Sequence, residues 1–560
     1  MQNLPAATLS DGYKVGHAPM YADGTDFVYS NLTPRSDKHY LKGATAFYDG
    51  KLVFVGLQGA IQEIEEYWNT AFFNLKKESA IQKYARRMSI YLGGEVDTTA
   101  RLAELHDLGY LPIEVRALKE GSKVPMGVPV FTIHNTKPEF FWLVNYLETI
   151  LSALIWKPST NATIASEYRA IVEHFGDLTG VDKFTQSIQC HDFSFRGMSG
   201  PEDAARSGFA HLTSFIGTDT LPAMDYAELY YDAPDDSLIA ISVPATEHAV
   251  ATSNILHLEK DIKRHDVFSD ADDRMLAEYY FMRELITRKF PKGIVSYVAD
   301  SFDYWSVLRD ILPLLREEIN SREPAGPAPG KLVIRPDSGD PVKVICGYKL
   351  LNIQESEFTG TYKDVVSLGY DGVVSYGTPL ELDKDGKVVR VLEWYEVKGS
   401  IQILWEIFGG TKTATGYKLL DPHIGLIYGD SITTQRAVEI LSRLEANGFA
   451  SGNVVFGVGS YTYQHSTRDT FGFAVKATYS SVDGEGFSIF KDPKTDSKKK
   501  SAKGLLYVVR KGEEFELLDD QSPDLVFSEE NELKVVYRDG EWVKRTSLED
   551  IRETLGTSVA

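Results

Sequence analysis

The middle of the chain repeats one local pattern seven times: a short β-branched run, a cluster of polar residues, then a helical stretch. The runs are SIQCHDFSFRG (187–197), TSFIGTD (213–219), IAISVPATEH (239–248), IVSYVADS (294–301), KLVIRPDSGD (331–340), IGLIYGDS (424–431) and NVVFGVGS (453–460). Continuous apolar runs of this kind suit strands buried on both faces, and therefore parallel pairing. The segments between them carry helix signals. Ser199, Gly200, Pro201 and Glu202 fit a capping box with proline near the start. Residues 301–319 and 434–448 repeat apolar positions every three or four residues, and the second stretch ends on Asn447 and Gly448 as a C-cap does. Alternating strands and helices with polar residues gathered at strand C-termini predict an α/β protein built on a (β/α) barrel, whose chemistry lies at that face. A doubly wound open sheet is the alternative, because it collects ligands at the same strand ends.

Length and the two ends of the chain add a second unit. At 560 residues the chain exceeds one ordinary domain. Alternating strands such as LPIEVRAL, GVPVFTIH, LLYVVR and LKVVYR occur only outside the repeats. Residues 1–150 and 471–560 are therefore expected to form a discontinuous α+β domain, with 151–470 as the barrel. The 347–415 segment, rich in acidic and glycine turns, reads as an insertion after the fifth run; a lid, an oligomer contact and plain elaboration all remain open for it.

With 59 Lys plus Arg against 80 Asp plus Glu, the net charge is −21. Such a surface repels nucleic acid and anionic membranes, so an anionic substrate needs a local basic site. Two cysteines, Cys190 and Cys346, argue against a disulfide framework and read as inert packing thiols. The N-terminal MQNLPAATLSDGYK has no signal-peptide pattern, and no apolar run is long enough to span a bilayer. A cytoplasmic protein is expected. The basic run at 490–504 is either a solvated loop or a phosphate contact.

The strand ends carry Asp192, Arg196, Asp219, Glu247, His248, Asp300, Arg335, Asp337, Asp430 and the turn Gly457 to Ser460. Carboxylates alone would suit a glycosidase. Two arginines and a glycine turn favour anionic oxygens, since guanidinium binds phosphate in a fork and bare backbone N–H groups complete a cradle. A phosphorylated sugar fits better. No P-loop, no closely spaced Cys/His metal ligands and no GxSxG elbow occur. Locally, TEH in SVPATEH reads as the first turn of a helix, with Thr246 as N-cap. His248 is open to three readings: general acid/base, phosphate acceptor or hydrogen-bonded core residue.

SDGYKVGH (10–17), VGLQ (55–58), LPIEVRALKEG (111–121), HDFSFRG (191–197), GTDT (217–220), SVPATEH (242–248), ADSFD (299–303), IRPDSGDP (334–341), GYKLLDP (416–422), YGD (428–430), STRD (466–469) and FKDP (490–493) keep their order along the chain. Together they resemble the nicotinamide phosphoribosyltransferase family of type II phosphoribosyltransferases. The resemblance implies transfer of phosphoribose from 5-phosphoribosyl 1-pyrophosphate to nicotinamide, with Mg²⁺ and a coupled ATP hydrolysis, in a homodimer whose active sites lie at the interface. It implies that His248 is phosphorylated by ATP, that Asp300 orients it, and that Asp337, Arg196 and Arg335 position substrate. Phe193 would stack the pyridine ring with Tyr13 of the other subunit, and Asp219 would accept from the carboxamide. Asp430 would bind ribose, and Gly459, Ser460 and Arg468 the 5-phosphate. Arg35, Lys476 and Lys491 would reach the phosphates across the interface. No metal ligand set is implied. The glycine turn is leaner than the family's, with Ser460 and Tyr461 where more glycine is usual. Nicotinate phosphoribosyltransferase is the close alternative, which Asp219 opposes by charge. A catalytically silent relative acting as a binding protein would be expected to lose several of these groups.

Overall fold

The computed structural model describes residues 4–93, 99–265, 273–353, 359–490 and 502–558. Six of the seven runs form a parallel sheet. Its strands are β1 (Cys190–Asp192), β2 (Gly217–Thr218), β3 (Ile294–Val298), β4 (Lys331–Arg335), β5 (Ile424–Tyr428) and β6 (Val454–Val458), in the order β2-β1-β6-β5-β4-β3. The seventh run closes the ring. On one side Ile241 donates to the Ile216 carbonyl (2.7 Å) and accepts from Thr218 N–H (3.2 Å). On the other, Ser296 N–H donates to the Pro244 carbonyl (2.9 Å) and Thr246 N–H to the Ser296 carbonyl (3.0 Å). Pro244 has no N–H to give, so this segment bridges its neighbours in two short patches rather than as a ladder. Val295, Tyr297, Leu332, Ile334, Leu426, Tyr428, Val454 and Phe456 belong to one buried core, as continuous apolar strands require.

Three local expectations are corrected. Thr246 is not a helix cap: its hydroxyl accepts the Val298 N–H (2.9 Å), which pins the segment to β3, and the helix begins at His248 with the Glu247 carbonyl taking Ala251 N–H (2.9 Å). The capping box at 199–202 does not form. Gly200 occupies the cap position ahead of the helix Pro201–Leu212, and it is Asp203, not Glu202, that reaches back to accept the Ser199 N–H (2.9 Å). The 301–319 stretch is not one helix. Pro313 cannot donate, and the chain widens into a π-turn over Val307–Ile311 before a new short helix, Arg316–Asn320. The 434–448 stretch does run as expected, from Thr434 to Ala446 with Gly448 at φ +76°.

A second sheet, antiparallel and seven-stranded, joins the two ends of the chain. In order its strands are Glu485–Ser488, Ala474–Val482, Thr25–Thr33, Phe131–Asn135, Ile113–Ala117, Lys534–Arg538 and Glu541–Trp542. The 39-residue helix Phe141–Thr179 serves both halves. Leu151, Leu154 and Ile155 pack into the core beneath this sheet, whereas Ile164, Tyr168, Ile171 and Val172 pack into the barrel core. The strands Leu350–Ile353, Gly372–Ser375, Thr378–Leu382 and Val388–Val391 make a separate four-stranded sheet over its own small core of Ile353, Val365, Val373 and Leu382. An ion pair between Asp371 and Arg443 (2.6 Å) fastens it to the barrel helix Thr434–Ala446. Among the described residues no helix is long and apolar enough to cross a membrane.

Two local packings fix the seam between the halves and the floor of the barrel rim. Glu120 accepts from the Gly56 (2.6 Å) and Gln58 (2.7 Å) N–H groups that open the helix Leu57–Trp68, and from the Tyr231 hydroxyl (3.0 Å). Burial pushes its carboxyl up to about 7, against the downward pull of those donors. Beside β1, the Phe193 ring lies against two backbones without side chains: a Cβ on Gly457 would sit 2.4 Å, and one on Gly429 2.9 Å, from its carbons. These glycines make room for an aromatic floor at the C-terminal rim.

Glu120→Gln keeps one accepting oxygen and turns an amide N–H₂ toward at least one of the three donors, and is expected to cost about 1–3 kcal/mol. Because the folded pKa lies above the unfolded value near 4.3, the native protein binds the extra proton between those values, so wild-type stability falls as pH rises through that window. The deficit of the variant in urea unfolding should therefore be larger at about pH 5 than at about pH 8. Gly457→Ala is expected to cost about 1–3 kcal/mol by overpacking against Phe193, read as a lower urea midpoint with unchanged slope.

Candidate active site

The C-terminal rim of the barrel encloses a cavity of about 750 Å³. Its wall contains Phe193 and Arg196 after β1, Asp219 after β2, and Glu247 and His248 after the closing segment. Arg335 and Asp337 after β4, Asp430 after β5, and Gly459, Ser460 and Tyr461 after β6 complete it. One strand end after another thus delivers the groups anticipated from the repeats. A second cavity, of about 460 Å³, lies within the barrel and shares Phe193, Asp219 and Arg335 with the first. Val333, Leu426, Ile427 and Val455 help make its wall largely apolar.

His248 reaches Asp300, which follows β3: Nε2 to Oδ1 is 2.9 Å, with the histidine side chain 46% and the aspartate 6% exposed. The second Asp300 oxygen accepts the Asp337 N–H (3.1 Å). Burial alone would raise the Asp300 carboxyl; the Ser338 hydroxyl, His248 and that N–H outweigh it and hold the group below its usual range. A charged Asp300 fixes the imidazole with Nε2 toward itself, which turns Nδ1 to the other side of the ring.

Asp219 is held in a comparable way. Its Oδ1 lies 3.0 Å from His191 Nε2 and accepts from the Ser242 hydroxyl (2.6 Å). Burial opposes ionisation, yet His191, Ser242 and the nearby Arg335 charge bring the carboxyl below its ordinary value. Among the described residues Oδ2 takes no hydrogen bond, so Asp219 offers a negative acceptor beside Phe193. Arg335 is mostly covered, 4.0 Å from Asp337, and its Nε is buried with no protein acceptor. A planar donor left open in this wall suits a ligand oxygen.

Other expected residues lie elsewhere. Tyr13, in the short turn Gly12–Gly16, is 66% exposed and does not line the cavity. Arg35 donates to the Gly472 carbonyl (2.7 Å), Arg468 pairs with Asp469 (3.4 Å), and Lys476 sits on the strand Ala474–Val482; none of the three borders the cavity of a single chain. Lys491 falls outside the described residues. Asp192 is also turned away. It is fully buried and accepts the Ser194 N–H (2.8 Å), while its neighbours His191 and Phe193 face inward. Strand alternation was the signal for this, and it makes His191, which the sequence reading passed over, a site residue along with Ser242.

Residues 188–541 match the nicotinate phosphoribosyltransferase (NAPRTase) family. The chain is 46% identical over 547 residues to the nicotinamide phosphoribosyltransferase of Acinetobacter baylyi, covering 97% of this chain and 96% of that one. It is 31% identical over 550 residues to the protein of the same name from Xanthomonas campestris pv. campestris, again covering 97% and 96%. Among solved structures it is similar to human nicotinic acid phosphoribosyltransferase, at 15% identity and a TM-score of 0.49 over 98% of this chain and 93% of that one. On the strength of the sequence matches, the chain belongs to the NAPRTase family of phosphoribosyltransferases, enzymes that transfer a pentosyl group.

Proposed function

We propose that this chain joins nicotinamide to 5-phosphoribosyl 1-pyrophosphate, giving nicotinamide mononucleotide and pyrophosphate in NAD salvage. The observation that carries the choice of base is Asp219. A carboxylate with one oxygen held by His191 and Ser242 and the other open accepts from a carboxamide N–H₂ and repels the carboxylate of nicotinate. Phe193 supplies the stacking face, and Arg196 and Arg335 position the base and ribose. Asp430 binds ribose hydroxyls, and Gly459 and Ser460 meet the 5-phosphate through backbone N–H groups and the Ser460 hydroxyl. The transfer builds positive charge at the ribose, which the carboxylates of Asp337 and Asp430 on the same wall favour.

Among the described residues no three His, Cys, Asp or Glu side chains converge as a metal cage. That donor set fits Mg²⁺ brought in on pyrophosphate, since Mg²⁺ is ordinarily held by one or two carboxylates together with phosphate oxygens. Asp337 and Asp430 would supply the carboxylates, and the ion would neutralise the leaving pyrophosphate. ATP is the second substrate in this reading. His248 Nδ1 attacks the γ-phosphorus, an N–P bond forms, the P–O bond to ADP breaks, and Asp300 stabilises the ring charge through Nε2. Water later cleaves the N–P bond. The exposed positions of Tyr13, Arg35 and Lys476 away from the cavity suit contributions from a second subunit, so the functional unit is a homodimer.

Nicotinamide with phosphoribosyl pyrophosphate should yield the mononucleotide, faster with ATP; product from nicotinate alone would overturn the choice of base. Asp219→Asn should lower kcat/KM for nicotinamide by about 10- to 100-fold and bring nicotinate closer to it. ATP-treated protein should carry an acid-labile phosphate that His248→Ala abolishes, and label persisting in that variant would place the acceptor elsewhere.

A further inference from the structure

His191 stands behind the group that selects the base. Its ring is 12% exposed, with Nε2 3.0 Å from Asp219 Oδ1 and 3.4 Å from Ser242 Oγ. Phe193 flanks it at 5.2 Å between ring centroids. A Cβ on Gly217 would lie 2.8 Å from Nδ1, so the strand backbone fixes the far edge of the ring. The geometry fixes which atom faces Asp219. It does not fix the ring's charge, because Nε2–H donates to the carboxylate whether or not Nδ1 also carries a proton.

We propose that His191 sets the discrimination between a neutral carboxamide and a carboxylate through its bond to Asp219, and makes that discrimination depend on pH. This rests on the nicotinamide reading given above. With a neutral ring, Asp219 presents a full negative charge to the base, which a carboxamide tolerates and a carboxylate does not. With a protonated ring the pair is neutral overall, and the repulsion against a carboxylate falls while Oδ2 still accepts from N–H₂. Other charges around the ring come from several elements. Arg335 acts from the end of β4 through Asp219. His211, on the helix Pro201–Leu212, binds the Gly217 carbonyl (3.0 Å) and the Tyr463 hydroxyl (2.7 Å) behind the ring. Asp192 acts on His211 from β1, and Lys331 lines the lower cavity that His191 also borders. Among the described residues His191 and Ser242 are the side chains bonded to Asp219 Oδ1, and of the two only the imidazole can carry a charge. It is a positioning residue, acting through Asp219.

The test is competition by nicotinate against nicotinamide turnover at about pH 8 and about pH 6, across the range in which histidine ordinarily changes charge. The inhibition constant of nicotinate should fall on the order of 3- to 10-fold toward the lower pH, and KM for nicotinamide should move less. His191→Gln keeps an N–H within reach of Oδ1 but takes no proton there, so its inhibition constant should be flat with pH. Ser242→Ala, which leaves the His191 imidazole in place, should keep the slope and serves if the first variant fails to fold. A flat wild-type response, a wild-type slope in His191→Gln, or loss of the slope in Ser242→Ala overturns the role of His191. Absence of mononucleotide from nicotinamide at both pH values would instead overturn the substrate reading.

Discussion

Closure of the barrel at its most irregular strand governs where everything else sits. Residues 239–246 hold the ring together with two hydrogen bonds to the β2 side and two to β3, on either side of a proline that cannot donate. The Thr246 hydroxyl adds a bond to the Val298 N–H. A regular ladder would carry the chain straight out of the barrel. Here the second patch ends at Thr246, and the next two residues, Glu247 and His248, come up at the rim opposite Asp300. The distance between His248 and its carboxylate partner is thus a property of the closing seam.

Much of this could be read from residues alone, because the barrel writes itself in strand-length apolar runs, and its chemistry sits just past each run. Asp219, His248, Arg335, Asp337 and Asp430 all arrive where their run ends. What the pattern could not settle is direction within a run. Asp192 looks as eligible as its neighbours, yet the alternation of a strand sends it outward into the core and sends His191 inward to Asp219. Helix starts failed in a similar way. Ser199 and Thr246 are good caps by type, but the Ser199 hydroxyl accepts from the Gln464 amide and the Thr246 hydroxyl from β3. Along 301–319 the apolar spacing is helical throughout, yet Pro313 interrupts the backbone hydrogen bonding that one helix would need. Tyr13, Arg35, Arg468 and Lys476 illustrate a different limit, since they lie outside the repeated runs and none of them lines the cavity of the single chain.

The site divides its charges between two environments. Asp300 and Asp219 are each kept ionised by a histidine plus a hydroxyl, and both histidines present Nε2 to the carboxylate. The similarity ends at exposure. His248 is nearly half open to the upper cavity, whereas His191 is almost covered and borders the apolar space inside the barrel. In one pairing the histidine faces the upper cavity and the carboxylate is covered; in the other the carboxylate faces it and the histidine is covered. Phe193, seated on Gly429 and Gly457, forms the partition between them.

The sheet that joins the chain ends has a consequence for biosynthesis. Thr25–Thr33 lies between Phe131–Asn135 and Ala474–Val482, and Ile113–Ala117 lies between Phe131–Asn135 and Lys534–Arg538. On the ribosome the three early strands emerge together, but the partners that cover their outer edges are made only after the whole barrel. At roughly 5–20 residues per second the wait is on the order of tens of seconds. During that time Thr25–Thr33 and Ile113–Ala117 present bare backbone edges flanked by Val28, Leu32, Ile113 and Val115, all apolar. The helix Phe141–Thr179 can be synthesised early yet reaches its full packing late, because its C-terminal part, from Ile164 to Phe175, packs into the barrel that follows it. The nascent chain must therefore carry an unfinished three-stranded sheet through the synthesis of its own active site, which makes this stretch of translation the natural place for chaperone engagement and for misassembly between neighbouring chains.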